Sequence, residues 1–263
     1  MIPPLTIAAI VWIEMIRRKD VYVLLVLLGA LLLALISMNI FGLGGVAGYA
    51  QDVGLLLAWL FGWILTVAVS TRELPQEETR GTIFPLLAKP ITRLQLLAGK
   101  WLGCWSIVCS ACGAFYALVV LVAWARGGHP AWLVLAQAYI LHMTLLGVIA
   151  AMGLMLSTRL HQDAAVALAY VLTAAAFLVV PRVPEFLVGE KGVRGVALLA
   201  LYYVVPHFEL FDLRRRLVHG YGPVEASVCL TVLGYGLVFI LVFLMLAWLL
   251  YRHKRFVRGA LPV

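Results

Sequence analysis

The sequence predicts an all-α integral membrane protein with six transmembrane helices, and three observations carry that prediction. Mean hydropathy is +1.05. Hydrophobic residues make up 64% of the chain and charged residues only 12%, whereas a soluble domain is about half apolar and about a quarter charged. The charged residues flank long apolar runs instead of interrupting them. Each span needs roughly 20 residues to cross a hydrocarbon core of about 30 Å. The 263 residues therefore hold six spans and little else, so residues 1–263 read as a single transmembrane domain.

Composition also excludes several classes. A net charge of +8 could point to nucleic acid, but the basic residues flank spans and no separate basic domain carries them. Cys104, Cys109, Cys112 and Cys229 all lie in apolar segments, which argues against a disulfide framework. Cys109 and Cys112 have helical spacing but no His, Asp or Glu within a turn, so no metal site is expected.

The first element, residues 1–20, is expected to be an interfacial helix, since its polar groups Glu14, Arg17 and Arg18 gather toward one end. It does not read as a secretory signal, because its positive charges follow the apolar stretch. The spans then read as Val21 to Phe41, Val53 to Ser70, Ala98 to Trp124, Ala131 to Ser157, Ala164 to Val180 and Ser227 to Tyr251. Their central parts carry no Asp, Glu, Lys or Arg, as the cost of a mid-bilayer charge requires. An even number of spans places both termini on one side. Assigning them to the cytoplasm puts thirteen Lys and Arg inside and seven outside, in keeping with the positive-inside rule. The Arg214, Arg215 and Arg216 triplet is a local exception. Residues 181–226 are expected to form an external loop with short helices, because "VALLALYYVVP" is apolar yet short and closed by proline.

Polarity concentrates between the second and third spans, where residues 72–100 hold eight of the charged side chains. "RELPQEETR" reads as a solvated segment, after which Gly81 permits a sharp turn. Thr82 can cap a short helix with Pro85 in its first turn. That helix would present Ile83, Phe84, Leu86 and Leu87, ending at Lys89 and Pro90. Thr92 and Gln95 form a T-x-x-Q capping box that opens the next helix. Periodicity alone leaves two readings of the short helix: a docking element for another protein or a helix on the membrane surface.

The stretch "EETRGTIFPLLAKPITRLQLLAGKWLG" resembles the cytoplasmic loop in the membrane subunits of ATP-binding-cassette exporters of the type-2 class. Glu77, Glu78, Gly81, Thr82, Leu86, Leu87, Pro90, Thr92, Arg93, Gly99 and Lys100 occupy matching positions. "MLSTR" from Met155 resembles the turn after the fourth span in that class. "VPHFELFDL" from Val205 resembles a Pro-Asn-Phe segment of the last external loop, with His207 where asparagine is commoner. The resemblance implies a plasma (inner) membrane permease subunit of an ABC transporter that dimerises with a second copy or a paralogue. In this reading residues 72–97 are a coupling loop whose helix docks on a separate ATP-binding subunit. Phe84 and Leu87 would fill a groove there, and Glu77, Glu78, Arg80, Gly81, Thr82 and Arg93 would complete the contact.

The chain itself is not expected to be an enzyme. Its Gly99-Lys100 pair is followed by tryptophan and has Leu94 where a P-loop needs its first glycine, so ATP and Mg are expected on the partner. The six histidines are scattered, and His142, deepest in a span, is expected to be a packing or hydrogen-bonding residue. Adjacent Glu77 and Glu78 point apart on a helix and form no catalytic pair. The competing reading is an ATP-independent secondary transporter or channel, which would require intramembrane ionisable groups or helices broken at the midplane.

Overall fold

Residues 4–18, 26, 29–30, 46–81, 91–125, 131–187, 192–218 and 220–254 are described by the structure, a computed structural model. Among them the chain forms nine α-helices and no strands: α1 (Pro4–Arg18), α2 (Val46–Arg80), α3 (Arg93–Ala125), α4 (Trp132–Ser157), α5 (Gln162–Leu178), α6 (Val183–Leu187), α7 (Val193–Val204), α8 (Arg214–Val218) and α9 (Ala226–Tyr251). Short 3-10 turns occupy Val180–Arg182 and Phe208–Phe211.

Among the described residues, six stretches are long and apolar enough to cross a membrane: Gln51–Arg80, Arg93–Ala125, Trp132–Ser157, Gln162–Phe186, Val193–Val218 and Ala226–Tyr251. Five of them coincide with expected spans. Of the expected span at residues 21–41, only residues 26 and 29–30 are among the described residues. Val193–Val218 was expected within a loop, and its backbone is divided: α7 ends at Val204, Pro206 follows, and the chain continues as a 3-10 turn and α8. Proline lacks the N–H that would continue the helix, which is why the apolar run breaks there.

One boundary differs from expectation. "RELPQEETR" is not a solvated segment but the last turns of α2, with Leu74 and Glu73 buried at 0% and 3% exposure. With α3 starting at Arg93, the connection shrinks to residues 81–92. The reason is electrostatic: the charges find partners inside the bundle, so the helix has no cause to end where polarity begins.

Helix α4 is the central post. Leu145, Leu146, Val148, Ile149, Ala150 and Ala151 are all at most 1% exposed, and burial of consecutive residues means the helix is surrounded on every side. Helix α9 is one-sided. It buries Gly236, Ile240, Ala247 and Tyr251 and exposes Leu230, Leu237, Leu241 and Met245, the pattern of a helix with lipid on its outer face. Helix α5 turns Ala165, Ala169, Thr173 and Ala176 inward. These small side chains let it approach α2 closely, where Trp63 donates to the Thr173 hydroxyl at 2.7 Å and Tyr170 to the Ile64 carbonyl at 3.1 Å.

Helix α1 packs on α3. Ile7 and Val11 are 2% and 0% exposed, and they sit over Gly99 and Gly103, a small-xxx-small pair. A β-carbon on Gly99 would lie 2.7 Å from Ile7 Cβ and 2.8 Å from the Pro4 carbonyl oxygen. Trp12 adds a 2.7 Å hydrogen bond to Ser106. The opposite face of α1 exposes Leu5, Ile10, Ile13 and Ile16, so the helix is apolar both toward the bundle and away from it. Gly99→Ala should release α1 from α3, at a cost of about 1–3 kcal/mol for overpacking against backbone. The expected result is faster proteolysis before residue 18 with the remaining helices intact, and unchanged proteolysis would refute the close-contact account.

Candidate functional site

At one end of the bundle, the last turns of α2, the first turns of α3, the turn after α4 and the end of α9 converge. Of the charged residues between 72 and 100, Glu73, Glu77, Glu78, Arg80, Arg93 and Lys100 are gathered there. Lys100, 1% exposed, lies between two carboxylates, donating to Glu73 at 2.8 Å and to Glu77 at 2.5 Å. Glu73 and Glu77 are one helical turn apart on α2, so a single ammonium can bridge both. Burying any one of these charges alone would be costly, and together they compensate one another.

Glu78 faces the other way. Its carboxylate receives Lys254 from beyond α9 at 2.7 and 2.8 Å, and the same ammonium donates to the Thr158 carbonyl at 2.9 Å. Arg80 reaches across to Glu14 of α1 at 3.0 Å. Arg93, at the start of α3, donates to the carbonyls of Tyr251 and Lys254, the latter at 3.2 Å. Its guanidinium also lies 5.6 Å from the centre of the Tyr251 ring. Gln76 meets Gln162 of α5 at 3.2 Å. Contacts at this end therefore tie α2 to α1, α3, α5 and α9.

The loop leaves this platform through defined geometry. Gly81 has φ of 69°, the left-handed region that glycine enters without a steric penalty. At the far side the capping box forms as expected: Thr92 N–H donates to Gln95 Oε1 at 3.1 Å, and Gln95 N–H to the Thr92 hydroxyl at 3.2 Å. Of the sequence-selected residues, Glu77, Glu78, Arg80, Gly81 and Arg93 sit on the platform, and Glu77 faces into the bundle. Thr82, Phe84 and Leu87 lie outside the described residues. Sequence reasoning missed Glu73, Lys254 and Glu14. The signal for Glu73 was its i, i+4 spacing to Glu77 with a lysine opening the next helix; Glu14 and Lys254 are distant in sequence and left none.

A second polar group lies toward the opposite end. His142 is fully buried, stacked on Trp59 with ring centroids 5.0 Å apart, and its Nδ1 is 3.2 Å from the Tyr116 hydroxyl. Its Nε2 has no hydrogen-bond partner among the described residues. Trp59 also carries the Arg214 guanidinium 4.9 Å from its ring centre. His207 is fixed by Tyr235, whose hydroxyl lies 3.0 Å from both its backbone nitrogen and its Nδ1.

The platform makes a stability prediction. Lys100→Met leaves two carboxylates buried without their cation and should lower unfolding free energy by about 3–5 kcal/mol. Adding Glu73→Gln and Glu77→Gln to it should recover most of the loss. Thermal unfolding in detergent measures both, and a triple variant no better than the single one would show that the charges are not coupled.

A comparison with curated proteins returned no relative. A family model described as "ABC-2 family transporter protein" matches residues 5–255, nearly the whole chain. With its helices long and apolar enough for several membrane crossings, the chain is a multi-pass membrane protein that belongs to the ABC-2 family of transporter proteins.

Proposed function

We propose that this chain is the permease subunit of an ATP-driven exporter, working as a dimer with a second copy or a paralogue in the plasma (inner) membrane. In this reading both termini are cytoplasmic, and residues 81–92 dock on a separate ATP-binding subunit that holds ATP and Mg. The observation that carries the reading is the platform beneath the loop. A docking element transmits force only if its base is stiff, and here α2 and α3 are locked by the Glu73–Lys100–Glu77 cluster.

Closure of the ATP-binding subunits would displace the loop, and the platform would pass that displacement on. Lys254 and Arg93 bring the end of α9 along, and Arg80 brings α1. ATP can drive such a change only through different affinities for the two arrangements, so a shared rigid base is what couples binding energy to helix tilt. Glu78 and Arg80, at the edge of the platform, would orient the partner more than hold it. Phe84 and Leu87 would supply the buried anchor of the contact. Glu77, committed to Lys100, would act through the platform.

Purification with the products of neighbouring genes tests this directly. A P-loop ATPase should co-purify stoichiometrically with the wild-type chain. Phe84→Ala should reduce its recovery roughly tenfold or more, as loss of an interface hot spot does, and Gly81→Pro should abolish it, because proline cannot adopt φ of 69°. Undiminished recovery with both variants would remove the loop from the docking surface. Failure to recover any ATPase with the wild-type chain under crosslinking would favour ATP-independent transport.

A further inference from the structure

A cavity of about 520 Å³ lies between α2, α5 and the 209–215 segment. Its walls divide by chemistry. Trp59, Trp63 and Phe177 supply aromatic surface, with Trp59 and Trp63 each set edge-on to Phe177 at centroid distances of 5.3 and 6.0 Å. Leu56, Leu60 and Leu178 line another edge and are exposed by 45%, 42% and 64%, so that edge opens laterally toward lipid. The remaining edge is charged, with Glu209, Asp212, Arg214 and Arg215.

Two of those charges are already committed. Asp212 accepts from Arg214 Nε at 2.9 Å, from Arg214 Nη2 at 2.7 Å and from its backbone N–H at 2.9 Å, while the guanidinium rests on Trp59. They form a fixed part of the wall. Glu209 and Arg215 are both exposed, and their side chains have no hydrogen bond or ion pair among the described residues. The available charge at the rim is therefore one acid and one base beside aromatic faces, next to an apolar opening.

We propose that this cavity binds a zwitterionic membrane lipid. Arg215 meets the phosphate, for which a guanidinium is geometrically suited. Glu209 and the partly exposed Trp63 indole meet the cationic group, which aromatic rings attract; Trp59 is already taken by His142 and Arg214. The upper acyl chain leaves along Leu56, Leu60 and Leu178. A purely anionic or cationic headgroup would leave one rim charge opposed by its like, which disfavours it. The neighbouring groove between α3 and α4, about 670 Å³ and bordered by Trp124 and Trp132, has no charged lining residue among the described residues.

The binding belongs to this chain alone and does not depend on ATPase docking, so the test uses the purified full-length chain without partners. Native mass spectrometry of the detergent-solubilised protein, incubated with equal amounts of dioleoyl phosphatidylcholine and dioleoyl phosphatidylglycerol, reads retained lipid. Phosphatidylcholine should be retained preferentially. Arg215→Gln and Glu209→Gln should each reduce its retention roughly tenfold, the effect of losing one charge-assisted hydrogen bond. Trp124→Ala, in the other groove, should leave it unchanged, and both rim residues are exposed, so their variants should keep the wild-type unfolding temperature. Equal retention of the two lipids, or no effect of either rim variant, would overturn the assignment. Displacement of the lipid by an equal concentration of free glycerophosphocholine would also overturn it, since the site would then select a soluble zwitterion.

Discussion

The buried ammonium of Lys100, held between Glu73 and Glu77, is the constraint from which the rest of this end of the molecule follows. A charge at 1% exposure persists only where its partners are fixed, and fixing them requires α2 to remain helical to Arg80. That in turn moves the end of α2 to Gly81, while α3 sets off from the cap at Thr92. The outward charges, Glu78, Arg80 and Arg93, then find α9 and α1. Such a cluster is weak evidence of extra stability, since well-packed apolar residues can replace buried ions at no loss. What it provides is a single geometry, because only one relative position of α2 and α3 satisfies both carboxylates.

The two ends of the bundle use polarity differently. At the platform, charges are paired between helices that are distant in sequence, and the effect is rigidity. Toward the other end, aromatic rings carry much of the polar contact: Arg214 over Trp59, His142 stacked on Trp59, His207 beside Tyr202 and Tyr235. The ion pair described there, Asp212 with Arg214, joins residues two positions apart and so ties no helix to another across the bundle.

Much of this was legible in the sequence because membranes impose few solutions. Apolar length alone located α3, α4, α5 and α9 within a few residues, and the Thr92–Gln95 capping box was readable from spacing because both halves lie within one turn. The end of α2 was misplaced for the opposite reason. Glu73 and Glu77 look solvated until Lys100, on another helix, is known to face them, and no local signal reports a partner 27 positions away. Pro206 closed α7 as expected, while the platform's ties to Glu14 and Lys254 depend on tertiary packing alone. The docking of α1 was half legible: Gly99 and Gly103 announce a close approach, but nothing in their spacing names Ile7 and Val11 as the visitors.

Helix α1 is apolar on two faces, one seated on the glycines of α3 and the other turned outward with Leu5, Ile10, Ile13 and Ile16. A rod seated along one side on the glycines of a longer helix cannot shift independently of it. Any tilt of α3 carries α1 with it, together with the outward row of Leu5, Ile10, Ile13 and Ile16.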